Sequence, residues 1–290
     1  MTRPESDPDN SSRLKALALR LQALGADFDE KTPVPSRLAR SILDATRQKT
    51  PPVDLKRVLG LWPELNVNME ELDGPGYLLD LGPTGGEILL RAQDRLPRRR
   101  YTLAHEIGHW VRGTTCAARM PIGDGENPQS GGTSLNSRAR LERWCDEFAA
   151  CLLLPDAWVR DELLGVASEG LPELLLKMPT EYLVSQRAAW IRAAEVAPLA
   201  ILHWRPGTNT EILGEFSSPD MVPRHRAALV RWALLQRSTA TRAPMTVTIE
   251  NMQIFTTRVG ARSFLSCAVA RSSAPRAPGA PRVSGPSLNR

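Results

Sequence analysis

The sequence predicts an α+β protein in which helices surround a small sheet, followed by a smaller α+β module. Three observations predict it. Apolar residues recur every three or four positions in several segments, which is typical of amphipathic helices. Three short β-prone segments between 65 and 91 are separated by turns that contain glycine or proline. Residues 199–270 again alternate between β-prone and helical patterns.

Composition narrows the class of protein. The chain has 290 residues, 42% hydrophobic and 24% charged, which is ordinary for a soluble globular protein with a sizeable core. Apolar stretches fall well short of the roughly 20 residues of a membrane span, and Met1–Pro8 lacks the apolar region of a signal peptide. We therefore expect no membrane association and a cytoplasmic location. The net charge of +5 is mild for a nucleic-acid binder.

The N-terminal third reads as a polar start, three helices and a sheet. Residues 1–12 are polar and predicted to be disordered. A helix over 14–24 would dock either on the rest of the chain or on a partner, and helices are predicted over 36–47 and 53–59. The strands are predicted in three segments that come next: 65–69, 76–81 and 86–91.

The next segment carries the pattern H-E-x-x-H. In a helix, His105 and His109 lie one turn apart on the same face, where two imidazoles can hold one Zn²⁺ ion. Glu106 could then take a proton from a water that zinc acidifies to a pKa of roughly 7. The alternative is a pair of histidines packed in a core or exposed on a surface helix. Apolar neighbours such as Ile107 and Trp110 favour the metal, because it compensates the burial of polar groups.

A second helix is predicted over 141–154, ended by Pro155. Glu142 and Asp146 are four residues apart on one face of it. Glu142 is our candidate for the third metal ligand, and Asp146 for the acceptor of a hydrogen bond from a ligand histidine. The alternative for each is a solvated carboxylate, which we prefer for Glu147. Cys145, between them, is read as a small buried residue, with a redox-sensitive or metal-proximal thiol as the alternative.

Together, Arg-x-Thr-Leu-Ala-His-Glu-x-Gly-His and Glu-x-x-Cys-Asp-x-Phe-Ala-Ala-x-Leu-Leu-x-Pro resemble the ImmA/IrrE family of zinc metallopeptidases. The chain has Asp146 where that family usually has Asn, and Leu154 where it usually has Met. The resemblance implies a zincin-like core, one catalytic Zn²⁺ and a protein substrate, a helix-turn-helix repressor whose cleavage releases its genes. It also implies an exposed edge strand that holds the peptide, for which Glu87–Arg91 is our candidate.

Five regions are predicted, from composition, periodicity and, as far as about residue 200, the resemblance: a disordered start at 1–12, a metallopeptidase domain at 13–165, a helix-turn-helix-like element at 166–197, a small α+β module at 198–271 and a disordered tail at 272–290. The loop 121–134 between the motifs is either a lid or a tolerated insertion. Helix pairs like 171–194 more often serve packing than DNA binding. His203 and His225 are predicted to be structural or surface residues.

The sequence leaves two candidate functions open. The first is a zinc endopeptidase with Glu106 as general base and His105, His109 and Glu142 as ligands. The second is a DNA-binding regulator with a structural zinc site, which would use Arg187 and Arg192. The group that stabilises the oxyanion stays open between Tyr182 and several arginines. The cluster Arg95, Arg98, Arg99 and Arg100 either attracts an acidic substrate or is a solvated face, with Arg100 set apart by the family pattern.

Overall fold

The computed structural model describes residues 8–26, 34–113, 132–205, 210–219, 221, 223–235, 245–249, 252–259 and 263–270. Predictions for residues 1–7, most of the loop 121–134, Cys116 and the tail 272–290 lie outside these residues. The helices are α1 Pro8–Ala23, α2 Pro35–Ala45, α3 Leu55–Leu59, α4 Leu96–Val111, α5 Gly132–Leu153, α6 Asp156–Gly165, α7 Leu171–Glu181, α8 Gln186–Val196 and α9 Pro223–Leu235. The strands are β1 Leu65–Glu70, β2 Gly76–Asp80, β3 Gly86–Arg91, β4 Leu199–Arg205, β5 Glu211–Ser217, β6 Met245–Ile249, β7 Met252–Val259 and β8 Ser263–Ala270.

Helix α1 packs on the rest of the chain through buried leucines that recur at helical spacing, among them Leu14, Leu17 and Leu21. Arg13 reinforces this contact: its Nη2 lies 2.6 Å from a carboxylate oxygen of Asp80, and its guanidinium lies 3.9 Å from the ring centroid of Trp110. Of the two options for this helix, the structure therefore shows docking on the chain itself.

The first sheet has the order β1-β3-β2, with β1 parallel and β2 antiparallel to β3. Strand β3 is thus the central strand, and Glu87–Arg91 has hydrogen-bonded neighbours on both sides. The prediction of a free edge at Glu87–Arg91 is wrong. Its burial pattern alternates strictly, which a sequence reading cannot distinguish from that of a half-buried edge strand.

The sheet supports α4 closely. A Cβ atom added at Gly86, the first residue of β3, would lie 2.5 Å from the ring of Trp110, near the end of α4. Glycine there lets the helix rest directly on the strand. On the other side of the core, α2 packs against α5 through Leu38, Ile42 and neighbouring buried residues.

The second sheet has the order β5-β4-β8-β7-β6, with every neighbouring pair antiparallel. Both faces are buried. Residues such as Ile201 and Leu265 join the large core, against which α7 and α8 pack. Alternate residues such as Leu202 and Trp204 form a second core with Trp232 of α9. The helix pair α7 and α8 therefore lies between this sheet and the part of the chain that ends with α6.

Several predicted boundaries change. Helix α1 begins at Pro8, so 8–12, predicted to be disordered, are helical; proline and an acidic residue such as Asp9 suit a first helical turn. Helix α5 begins at Gly132, inside the predicted loop. In the C-terminal module, where the sequence shows only an alternation of β-prone and helical patterns, β5 is an additional strand, and β6 and β7 are the two arms of a hairpin. Within the described residues, no helix is long and apolar enough to cross a membrane.

Candidate metal centre

Helix α4 presents the H-E-x-x-H pattern from a buried position. Pro97 occupies its first turn, where a proline is tolerated, and the helix stops at Arg112 and Gly113, whose φ of 60° takes the chain out of the helix. All residues from Ala104 to Val111 are buried. The apolar residues and the histidines lie on different faces of α4. The apolar face contacts the sheet and core, and the histidines face α5.

Gly108 brings the two helices together. A Cβ atom at this position would lie 3.3 Å from the Cα atom of Cys145 and 3.2 Å from the ring of Phe148, both on α5. Such contacts are tighter than ordinary side-chain packing allows, so α4 and α5 meet at a distance that only glycine permits without movement. The glycine of the motif thus positions its histidines against α5, a role that the sequence reading did not assign.

Three side chains converge between these helices. The Nε2 atoms of His105 and His109 are 3.1 Å apart, and the Oε2 atom of Glu142 lies 3.3 Å from the first and 3.6 Å from the second. Both histidines are buried, while the carboxylate of Glu142 is 30% exposed. The three atoms therefore form a nearly equilateral triangle that opens toward solvent on the side of Glu142.

The size of this triangle fits a tetrahedral metal ion. With ligand distances of about 2.0–2.1 Å, neighbouring ligand atoms in a tetrahedron are about 3.3 Å apart. The three measured separations bracket this value. Two imidazoles and one carboxylate are also a donor set that binds zinc in catalytic sites and leaves a fourth position for another ligand. The residues present fit the ion that the motif predicts.

Asp146 orients one of the ligands. Its Oδ1 atom accepts a hydrogen bond from Nδ1 of His105 at 2.9 Å, which assigns the proton to Nδ1 and leaves the lone pair of Nε2 facing the other ligands. Tyr101, one turn before His105, donates a hydrogen bond to the same Oδ1 at 3.0 Å. Tyr101 belongs to this arrangement, although nothing in the motif singled it out. Only its spacing of four residues from His105 could have indicated it.

Acidic side chains surround Cys145 of α5. Burial raises the pKa of the Cys145 thiol, and the nearby charges of Glu142, Glu106 and Asp146 raise it further. The thiol therefore stays protonated at neutral pH, which favours the small buried residue over a reactive thiolate. Glu106, which follows the ligand candidate His105 in α4, is fully buried.

Comparison with known proteins agrees with this geometry. Residues 65–169, from β1 to just past α6, match the IrrE N-terminal-like domain, a peptidase family. Over these residues the chain is similar to that family. A solved structure of a Mycobacterium tuberculosis transcriptional regulator is similar over 89% of this chain and 80% of that chain, at 8% sequence identity and a TM-score of 0.45. Among curated proteins, none matches the sequence.

Arg100, in the first motif, makes a contact outside the ligand triangle. Its Nη2 atom donates a hydrogen bond to the carbonyl of Val53 at 2.7 Å, which ties α4 to the segment before α3. Burial lowers the pKa of Arg100, and the nearby charge of Asp54 offsets part of that effect. The arginine of the first motif therefore anchors α4 to the segment that contains Val53.

The candidates for oxyanion stabilisation separate as well. Tyr182 is fully buried, and its hydroxyl donates to Glu162 at 3.0 Å, so that group is engaged elsewhere. Arg112 follows His109 by three residues and lies beside the ligand helix, with its guanidinium 5.2 Å from the ring centroid of Trp144.

The remaining histidines lie apart from the triangle. The ring of His203 in β4 packs edge-on against Trp190 of α8, with centroids 5.3 Å apart. Burial, with a smaller effect of Arg205, lowers the pKa of His203, so the ring stays neutral at pH 7. The prediction of a structural role for His203 is confirmed. His225 falls in α9, but its side chain lies outside the described part of the chain.

Proposed function

We propose that this chain is a zinc-dependent endopeptidase. The observation that carries the proposal is the triangle of His105, His109 and Glu142, whose dimensions fit a tetrahedral ion and which opens toward solvent on one side. A purely structural zinc site usually surrounds the ion with four protein ligands. Among the described residues, the ligand cluster contains these three side chains.

Each residue has a definite task in this proposal. His105, His109 and Glu142 hold the ion, and Asp146 keeps the Nε2 lone pair of His105 directed at it. Bound there, Zn²⁺ supplies a Lewis acid that polarises the scissile carbonyl and acidifies a water molecule. Glu106, next to a ligand in the sequence and buried close to the site, is the general base.

Hydrolysis then needs two proton transfers through Glu106. Its carboxylate takes a proton from water as the water oxygen bonds to the carbonyl carbon. It then gives that proton to the amide nitrogen as the carbon–nitrogen bond breaks. The products are a new carboxylic acid and a new amine, which become a carboxylate and an ammonium group when the acid proton passes to the amine, and Glu106 returns to its ionised form. Burial of Glu106 keeps bulk water from competing for the proton.

The sheet limits where an extended substrate can bind. Because β3 is central, backbone pairing with a peptide is restricted to the outer edges of β1 and β2. The second half of β1 is the more exposed of the two, with Met69 62% exposed. Arg99 of α4 reaches this strand, with Nη1 3.0 Å from the sulfur of Met69. We propose the edge of β1 as the pairing strand in place of Glu87–Arg91.

The proposed substrate is a helix-turn-helix repressor, and its cleavage would release the genes that it controls. This step comes from the resemblance of the two motifs to the ImmA/IrrE family, whose members cut such proteins. The similarity of residues 65–169 to the IrrE N-terminal-like domain family supports it.

The competing function, direct DNA binding through α7 and α8, meets a packing problem. Arg192, one of the two arginines named for DNA contact, is buried and contacts the Leu154 carbonyl, Glu195 and Asp156. Trp190 and Ala193 of the same helix are buried too. Only a narrow strip of α8 that includes Arg187 and Glu195 is exposed, and these two charges are opposite in sign. The packing favours a structural role for this helix pair.

The test uses the full chain, Glu106→Gln and the matched control Glu147→Gln, an exposed carboxylate on α5. Zinc content is measured for each, and each is incubated with a helix-turn-helix protein encoded beside the chain. We expect a single cut by the wild type and the control, and a loss of at least about 100-fold in rate for Glu106→Gln with zinc retained. If Glu106→Gln keeps zinc and cuts at the wild-type rate, the mechanism is wrong.

A further inference from the structure

A cavity of about 340 Å³ lies beside the metal centre. It is enclosed by the first turns of α4, the last turns of α5 and the exposed side of α8. Its apolar lining consists of Tyr101, Ala150, Leu153, Val184, Ala188 and Ile191. The volume is sufficient for any single amino-acid side chain, and such mostly apolar concave sites are typical of ligand pockets.

Tyr101 links the cavity to the ligand triangle, because it lines the cavity and lies one helical turn before His105. The ring of Tyr101 forms part of the cavity wall, and its centroid lies 6.4 Å from that of His105. Its hydroxyl donates to Asp146, which in turn holds His105. The side chain of Asp146 is 54% exposed, so the group that joins Tyr101 to His105 is accessible from solvent. A peptide bound at the triangle would pass next to Tyr101 and the cavity that it lines.

Distance identifies the part of a peptide that would reach the cavity. An extended chain advances about 3.3 Å per residue, and side chains on one face are two residues apart. The separation of Tyr101 from His105 corresponds to about two residues. A peptide with its scissile bond at the triangle would thus place a nearby side chain in the cavity, within three residues of that bond.

The rim carries charge while the interior is apolar. Arg98 of α4 and Arg187 of α8 stand on opposite sides of the opening, and both are exposed. Without charged residues at its rim, an exposed apolar groove would favour non-specific contacts with other proteins. Recognition sites usually have a polar rim around an apolar interior. The interior supplies affinity, and the charged rim contacts the residues that flank the bound side chain.

We propose that this cavity is the specificity pocket of the enzyme, which binds a large aliphatic or aromatic side chain of the substrate within three residues of the scissile bond. This inference rests on the proposed endopeptidase function. Ala188 and Ile191 of α8 set the depth of the pocket, and the helix-turn-helix-like element therefore contributes to substrate selection. That gives α8 a function that needs no DNA.

The catalytic arm of the test uses a library of blocked hexapeptides in which each position in turn holds Leu, Phe, Asp or Ala. For the zinc-loaded chain, we expect Leu or Phe to exceed Ala by at least about tenfold at one position within three residues of the cut. Ala188→Phe fills the pocket and should abolish the preference. Ile191→Ala enlarges it and should shift the preference toward Phe. The control Ala16→Phe, an exposed position on α1, should change nothing.

The binding arm needs neither zinc nor catalysis. N-acetyl-leucinamide and N-acetyl-glycinamide are titrated into the metal-free chain, and the methyl resonances of Ile191 are followed by NMR. We expect the leucine probe alone to shift them, and Ala188→Phe to remove the shift. If both probes act alike, or if the resonances change with protein concentration alone because a second copy fills the cavity, the pocket assignment is wrong.

The two arms separate the two claims. Cleavage without a side-chain preference, or with a preference that survives both Ala188→Phe and Ile191→Ala, overturns the pocket and leaves the peptidase standing. Absence of cleavage by the zinc-loaded chain, together with a leucine-specific shift, supports the pocket and contradicts the peptidase.

Discussion

Two helix pairs in this molecule bury polar side chains, and they do so in opposite ways. Between α8, the end of α5 and the start of α6, the buried guanidinium of Arg192 is surrounded by acceptors that match it: the Leu154 carbonyl, Glu195 and Asp156. Between α4 and α5, two imidazole nitrogens and a carboxylate oxygen converge at 3.1–3.6 Å. The first arrangement is complete in itself, and the second calls for a cation.

This difference teaches how to separate a structural from a functional polar cluster. Burying polar groups is costly unless they are paired. Where donors and acceptors balance inside the protein, the cluster has a structural role: it holds helices together. Where possible metal ligands converge at the edge-to-edge distance of a metal tetrahedron, the arrangement fits a bound cation. The predictions below test this contrast.

The largest expected effect follows from removing a ligand. Glu142→Ala should lower the zinc content from one equivalent toward none and abolish cleavage, because two ligands remain. Metal content measured by mass spectrometry after dialysis checks this. Glu147→Ala, on the same helix, serves as the control and should keep its zinc. Equal zinc contents in the two variants would contradict the ligand assignment.

Next in size is the self-contained cluster. Arg192→Met should lower the free energy of unfolding by about 3 kcal/mol, because Asp156 and the Leu154 carbonyl lose their buried partner. Urea denaturation measures it. Arg187→Met, on the exposed side of α8, should cost less than about 1 kcal/mol, although its guanidinium lies over Phe216. Zinc content should stay the same in both variants. A loss of zinc in Arg192→Met would contradict the claim that the Arg192 cluster has a structural role alone.

A smaller effect is expected at the hydrogen bond that orients His105. Asp146→Ala should weaken zinc binding by roughly 10- to 100-fold, since the acceptor for Nδ1 is removed. Asp146→Asn retains an acceptor oxygen and should lose less. Competition with a zinc chelator measures the affinities. If Asp146→Ala binds as tightly as the wild type, the carboxylate is merely a solvated helix residue.

The smallest effect concerns the ion pair that docks α1. Burial acts to raise the pKa of Asp80, but hydrogen bonds from Arg13 and Gly82 and the charge of Arg13 outweigh it, so the pKa falls below its usual value. The stability from this carboxylate is present above its unfolded pKa of about 3.9 and is lost as the pH falls through the lower folded pKa. Urea unfolding of Asp80→Asn should therefore converge with the wild type at acid pH. The exposed Asp73→Asn should match the wild type throughout.

Much of the site could be predicted because its determinants are local. The spacing of His105 and His109, and of Glu142 and Asp146, follows from one helical turn, and the structure places all four side chains where that turn predicts. Tyr101 and Gly108 were missed because their roles depend on the approach of a second helix. The two positions acquire meaning only when α5 packs against α4.

The fold was predictable where periodicity decides and unpredictable where pairing decides. The three strands of the small sheet were found, but their order was not, so β3 was mistaken for an edge. Arg192 was named as a DNA contact of the alternative function, because no local pattern indicates its partners near the end of α5 and on α6. Long-range contacts of this kind leave no local pattern for a sequence reading to detect.

The most direct test of the central claim is the rate of peptide-bond cleavage as zinc is added back to the metal-free chain. We predict a rate that rises in proportion to zinc and levels off at one equivalent, with Glu106→Gln taking up the same zinc and remaining at least about 100-fold slower. A rate that does not depend on zinc, or equal rates for the two chains at full zinc occupancy, would contradict it.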